Sequence, residues 1–331
     1  TTTVVAVLVF DSVDGLTVTG NIYHGTGDTD AFLYLSNSSD VTASGNTIAD
    51  AAYGVLDLGS TVNDVTDNTY TDVDQNYGFY ANASSGPLNI SGTDGADTLR
   101  GGDGNDTLSG GAGDDTLIGG GGTDTAVYAG PIDPATITDT GTGFTVAAGT
   151  DGTDTLRGVE IIEHGGDGVI LLVGHGGYAT IQDALAAANA GDTIVIAGGA
   201  YSGTVVLKSG VDIVGALGGD VVLTGSIVVP AGLSDVTVKG LTVQNGTDPN
   251  SYLLDMRQAG GSTLTDIAFE DVTFKLTSDF LPSGPGTFAN DAPIGISYSR
   301  GAITIADGGD AGDAGLTFKN VVFDSGDYKI G

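Results

Sequence analysis

The chain has no cysteine and no tryptophan, a single methionine (Met256), and only nine lysines and arginines among 331 residues. Without cysteine there is no disulfide framework and no thiolate metal site, so stability has to come from a long regular core or from bound ions. The shortage of cations leaves a formal net charge of −33. A surface that acidic repels DNA, RNA and anionic lipid, which excludes them as partners. No run of about 18 apolar residues is present, so no membrane span is expected. The first ten residues, 1–10, lack a basic n-region and do not read as a signal peptide. They also lack an initiator methionine, so the sequence is expected to be a processed or excised piece of something longer.

Glutamate is scarce as well, with Glu160, Glu163 and Glu270 the only three among 42 acidic residues. The rest are aspartates, which favour turns and bind hard cations through a short, rigid side chain. Together with 57 glycines they describe a chain that turns often and holds little helix. Self-repulsion at this charge weakens a compact state unless cations neutralise part of it. Calcium is the expected counter-ion.

Residues 92–127 divide without gaps into four nines: GTDGADTLR, GGDGNDTLS, GGAGDDTLI and GGGGTDTAV. The second and third fit G-G-x-G-x-D-x-(apolar)-x at every fixed position. The first has Thr93 at the second glycine and the fourth has Ala126 at the large apolar place. Six residues of each nine read as a turn in which glycine supplies φ > 0. The last three read as a short strand with its apolar residue inward. Two nines complete one coil, so turns eighteen residues apart stack, and a cation fits between stacked turns on carboxylates and carbonyls. The motif resembles the RTX (repeats-in-toxin) family, whose members leave bacteria by type I secretion and fold in extracellular calcium.

That resemblance implies a calcium β-roll with two complete sites, Asp97 lying against the turn of residues 110–115 and Asp106 against that of residues 119–124. It implies Asp97, Asp106, Asp115 and Asp124 as main ligands and Asp94, Asp103 and Asp114 as helpers. The carbonyls of Gly95, Gly102, Gly104, Gly110 and Gly119 complete the implied set. A further nine at 149–157, GTDGTDTLR, has no stacked partner visible in the sequence, so a structural role is expected for it. The following Gly158–Ile162 looks like the β segment that caps such a roll.

On the C-terminal side, residues 178–196 contain the one convincing helix. Thr180 is placed to cap it with Asp183 three residues on, Gly191 to stop it, and Ile181, Ala184, Leu185 and Ala188 share one face. A short helix followed by GDTIVI resembles the N-terminal cap of pectin-lyase-like right-handed parallel β-helices. Short β-branched runs follow, from Val205–Leu207 to Val321–Phe323, and suit a parallel coil or a sandwich. The repeated unit of strand, corner and strand in VTVKGLTVQNG, IAFEDVTFK and LTFKNVVFD favours the coil. In the first ninety residues Asn21, Asn46 and Asn68 recur at spacings of one wide coil, which predicts an internal asparagine ladder.

The expected fold is therefore all-β: parallel β-helix coils (1–91), a calcium roll with its cap (92–177), and the helix-capped start of a second β-helix (178–331). The expected function is a secreted or cell-surface bacterial protein of structural or adhesive type. Calcium is its cofactor, self-association by end-to-end stacking is expected, and surface polysaccharide is a candidate partner. The competing reading is a polysaccharide-active enzyme, since β-helix plus RTX repeats resembles bacterial alginate epimerases and the wider fold includes uronate lyases. Catalytic residue types are sparse, however. Gly174-His175-Gly176 mimics a polygalacturonase motif but lies in the lead-in to the helix, and no catalytic residue is assigned. Asn37, Asn82, Asn89 and Asn245 each begin an N-x-S/T triplet.

Overall fold

The computed structural model describes residues 6–58, 68–80, 87–245, 253–255, 264–275, 296–299, 302–305 and 316–324. The described chain is all-β apart from one α-helix and two single-turn 3₁₀ segments. No helix among the described residues is long and apolar enough to cross a membrane. Two compact units form. The first comprises residues 1–133, 142–166 and 175–177, and the second comprises residues 134–141, 167–174 and 178–331.

In the first unit one sheet grows by parallel pairing from Ala6–Asp11 through Ile22–Ser36, Thr47–Leu58 and Thr69–Tyr80 to Thr98–Arg100. The register tightens on the way. Ala6 faces Ala31, Leu33 faces Val55, Phe79 faces Leu99, and Leu99 faces Leu117. The stacked segments thus shorten from the wide N-terminal coils to the eighteen-residue period of the nonapeptides, while one buried column runs through Leu35, Asp57, Leu99, Leu117 and Leu156, apolar except at Asp57. Corners are turned by residues in the left-handed region at matching places: Gly15 and Asp40, then Gly20 and Gly45. Aspartate, asparagine and glycine tolerate that conformation, which explains their abundance here.

The asparagine ladder is present. Asn21 Nδ2 donates to Asn46 Oδ1 at 3.0 Å and Asn46 Nδ2 to Asn68 Oδ1 at 2.9 Å. The same carbonyl oxygens accept the Asn21 and Asn46 backbone N–H groups. Asn46 also donates to the Val18 carbonyl at 3.0 Å. Its side chain is buried, so these bonds satisfy polar backbone that water does not reach.

In the second unit, parallel strands Val169–Val173, Thr193–Ile196, Asp212–Gly215, Ser234–Lys239, Thr265–Glu270 and Leu316–Lys319 follow one another across a sheet. A second sheet is built on Val221–Val228, which pairs with Gly199–Val206 and Leu241–Gln244. Val221–Val228 is one strand running through Gly225, which lies directly opposite Gly203. A side chain at Gly225 would collide with the Gly203 carbonyl. The three repeated corners at Gly240, Asp271 and Asn320 are all left-handed, with φ of 72°, 52° and 53°. Lys239, Glu270 and Lys319 stack in register beside them, with Lys319 Nζ 3.3 Å from Glu270 Oε1.

The helix runs Ile181–Ala187 and buries Ile181, Ala184 and Leu185 against this unit's core. Thr180 Oγ1 accepts from the Asp183 N–H at 3.0 Å, and Lys208 Nζ reaches the Ala188 and Leu185 carbonyls at the other end. Both ends are therefore capped, as a seven-residue helix with little intrinsic stability requires.

The ladder yields a direct test. Asn46→Ala removes the acceptor of the Asn21 N–H and one of the donors to the Val18 carbonyl and is expected to cost about 2–3 kcal/mol in urea unfolding, whereas Asn21→Ala at the exposed end costs under about 1. Equal losses at the two positions would contradict an internal ladder.

Candidate metal centre

The nonapeptides form two parallel stacks. Thr98–Arg100 pairs with Thr116–Ile118, Leu99 facing Leu117. On the other side Asn89–Ser91, Thr107–Ser109 and Thr125–Val127 pair in turn, Ile90 facing Leu108 and Leu108 facing Ala126. Each apolar residue is buried between the stacks. Strands of three residues are too short to persist alone, so the intervening turns decide whether the roll exists.

Those turns place carboxylate over carboxylate. Asp97, Asp106, Asp115 and Asp124 are all buried. The Asp97 N–H donates to Asp115 Oδ1 and the Asp106 N–H to Asp124 Oδ1, each at 2.8 Å. Each turn therefore hangs from the aspartate eighteen residues further on. The second carboxylate oxygens divide into two classes. Asp97 Oδ2 accepts from the Thr93 N–H at 2.5 Å, and Asp106 Oδ2 from the Gly102 N–H at 2.8 Å. Asp115 Oδ2 and Asp124 Oδ2 are buried without any hydrogen-bond partner.

The same division runs through the backbone. Gly111, Gly113, Gly120 and Gly122 take positive φ, whereas the glycines of the first two repeats do not. The expectation that every repeat uses φ > 0 therefore holds only for the third and fourth. Glycine is required for a second reason: a Cβ on Gly92, Gly101, Gly111 or Gly120 would strike a carbonyl of the stacked turn.

The expected helper residues lie at the rim. Asp94, Asp103 and Asp114 are exposed, Gly95 and Gly104 half-buried, and Gly102, Gly110 and Gly119 buried. The Gly102 carbonyl accepts the Gly121 N–H at 2.8 Å. Asp114 Oδ1 accepts the Thr153 N–H at 2.8 Å, which turns it towards the 149–157 segment.

That segment is where the structure departs from the sequence expectation. Far from lacking a stacked partner, Thr153–Arg157 pairs in parallel with Thr116–Ile118, Leu156 facing Leu117. Ile161–Glu163 pairs likewise with Thr125–Val127. The chain makes a long excursion after Val127 and then resumes both stacks. Both carboxylate ladders continue with it. The Asp115 N–H donates to Asp154 Oδ1 at 2.8 Å and the Asp124 N–H to Glu160 Oε2 at 2.7 Å. Phe144–Ala147 then lies antiparallel on Thr153–Arg157.

His175 does not join these groups. Its ring meets Phe144 edge-on at 5.3 Å, and its carbonyl accepts the Gly158 N–H.

Stacked buried acids are electrostatically costly. Burial, and then the like charges of Asp154, Asp97 and Asp114, push Asp115 up from 3.8 to about 8 despite the bond from the Asp97 N–H. Burial and Asp106 push Asp124 to about 6. Burial again dominates at Asp154, with Asp114 and Asp151 adding to it, and raises it to about 6. Glu160 is raised chiefly by burial.

Such a centre fits a hard divalent cation. Its donors are all oxygen, the buried Oδ2 atoms of Asp115, Asp124 and Asp154 lack hydrogen-bond partners, and its charges need compensation. Among the described residues no three His, Cys, Asp or Glu side chains converge on one point. Turn carbonyls would have to complete any shell, as they do in calcium sites generally.

Residues 91–126 match the family model of the RTX calcium-binding nonapeptide repeat, in four copies. The match covers the two stacks and stops short of the 149–163 continuation. No curated protein matches the chain.

The raised carboxyls fix the pH response of the metal-free protein. A group whose pKa is higher folded than unfolded contributes stability below its unfolded value and loses that contribution as pH rises through its folded value. With calcium chelated, the roll should therefore weaken as pH climbs from about 4 through about 6 and on to about 8, the values of Asp124, Asp154 and Asp115. Thermal unfolding in chelator at a series of pH values measures this, and a roll that gains stability over that range would contradict it.

Proposed function

We propose that this chain is a secreted, calcium-dependent structural or adhesive protein of a bacterial surface. Calcium locks its roll, and in the sequence the roll is flanked by parallel β-helix segments. In this proposal residues 1–91 and 178–331 are β-helix segments of right-handed, pectin-lyase-like type, and residues 92–177 are the roll with its cap. One observation carries it: buried aspartates stand over one another every eighteen residues, with Asp115 Oδ2 and Asp124 Oδ2 unpartnered. Such a stack is unfavourable at neutral pH without a cation and becomes cohesive with one.

Asp97 with Asp115 and Asp106 with Asp124 would hold one ion each. Asp94, Asp103 and Asp114 and the carbonyls of Gly95, Gly102, Gly104, Gly110 and Gly119 are the assigned secondary donors. Extracellular calcium lies in the range where sites of this oxygen-rich kind fill, whereas the low cytosolic level would leave the roll loose until export. Net charge of −33 suits a surface exposed to salt and calcium.

The proposed assembly is end-to-end stacking of copies. An end strand of a parallel coil is a template on which another copy can pair. Surface polysaccharide is a candidate ligand for such a protein.

Two outcomes are expected. Asp106→Asn should weaken calcium binding in titration calorimetry by about tenfold or more, because ligand charge sets affinity in such sites; unchanged binding would remove Asp106 from the ligand set. Electron microscopy in millimolar calcium should show fibres or sheets that dissolve on chelation. Lone particles in both conditions would contradict the assembly and favour a carbohydrate-active enzyme, to be assayed on alginate and pectin.

A further inference from the structure

The 149–157 nonapeptide differs from the first of the four, 92–100, only by Thr153 in place of Ala96. Its strand stacks on Thr116–Ile118 just as Thr98–Arg100 does from the other side. The connecting bonds repeat too: Asp97 N–H to Asp115 Oδ1, then Asp115 N–H to Asp154 Oδ1, both at 2.8 Å. A second tie joins the Thr153 N–H to Asp114 Oδ1, and Gly152 packs against the Gly113 carbonyl so closely that no Cβ would fit.

Two further facts point to a ligand. Asp115 and Asp154 are 2% and 0% exposed, and the Oδ2 atom of each has no hydrogen-bond partner. The buried Tyr128 hydroxyl is the donor that faces Asp154, close enough to favour its carboxylate but short of full hydrogen-bond geometry, and it feels the charge of Asp115 as well.

The other ladder makes an internal control. Glu160 occupies the corresponding rung above Asp124, but the residues before it, Thr155-Leu156-Arg157-Gly158-Val159, are not a glycine-rich turn. Glu160 is not among the carboxylates with a buried unpartnered oxygen. It closes its stack, whereas the turn ending at Asp154 repeats it.

We propose that the turn 149–154 completes a third calcium site over the turn 110–115, with Asp115 and Asp154 as its buried carboxylates and Asp114 and the Gly113 carbonyl at its rim. The inference rests on the calcium reading given above and extends it beyond the contiguous repeats. Such a site joins segments on either side of the excursion that follows Val127, so ion binding there ties the 149–157 segment to the contiguous repeats. A calcium ion shared by Asp115 and Asp154 neutralises the like charges that oppose each other across the two turns.

Native mass spectrometry of the full chain in calcium is expected to show one more ion than the two contiguous sites provide. Asp154→Asn, which keeps an oxygen for the Asp115 N–H, should bind one ion fewer with an unchanged far-UV circular dichroism spectrum. Terbium supplies a second readout, since the chain has no tryptophan and Tyr128 is the tyrosine beside this site. Terbium emission excited through tyrosine should fall severalfold in Tyr128→Phe while the ion count stays the same. Two ions in the wild type and two in Asp154→Asn would overturn the third site and leave the calcium reading intact. No bound ion in the wild type would overturn that reading itself. Should Asp154→Asn fail to fold, undiminished emission from Tyr128→Phe would still overturn the third site.

Discussion

Every second nonapeptide in this chain sets an aspartate over an aspartate, inside a structure too thin to hide either from the other. Register forces that juxtaposition. Once Leu99, Leu117 and Leu156 stack as a buried column, the carboxylates two residues before them stack as well. The backbone exploits the arrangement by hanging each turn from the next carboxylate. Half of each carboxylate is thereby engaged, and at Asp115, Asp124 and Asp154 the other half is left buried and unpartnered. Hydrogen bonds set the geometry, while charge decides whether that geometry holds at neutral pH.

The rest of the first unit fits this constraint. The wide N-terminal coils present Thr69–Tyr80 as a template on which Thr98–Arg100 pairs, so the roll does not have to nucleate alone. These coils have their own ladder, in which neutral asparagine amides both donate and accept and need no ion. A ladder of amides is self-sufficient; a ladder of carboxylates needs counter-charge. The change from Asn to Asp along one unit marks where stability becomes dependent on solution conditions.

Much of this was legible in the sequence because it repeats. The nine-residue period gave the two stacks and the pairing of Asp97 with Asp115 and Asp106 with Asp124. The spacing of Asn21, Asn46 and Asn68 gave the amide ladder, and Thr180 with Asp183 gave the helix start. What stayed hidden depends on pairing between distant segments. The 149–157 repeat reads as isolated because its partner lies beyond a long excursion, and a local period says nothing about where a chain returns. Glu160 was invisible for another reason: glutamate breaks the aspartate pattern, yet its longer side chain still reaches the Asp124 N–H. The near-identity of 149–157 with 92–100 was the available signal for the first. No pattern in the sequence announced the second.

The central claim is that the contiguous repeats and the 149–157 segment form one calcium-dependent stack. Hydrogen-exchange mass spectrometry with calcium, and again after chelation, tests it most directly. The account predicts that amides in 98–100, 116–118 and 153–157 lose protection together on chelation, while those of the asparagine-laddered coils change far less. Protection at 153–157 that survives chelation unchanged, or a roll equally protected in both conditions, would contradict it.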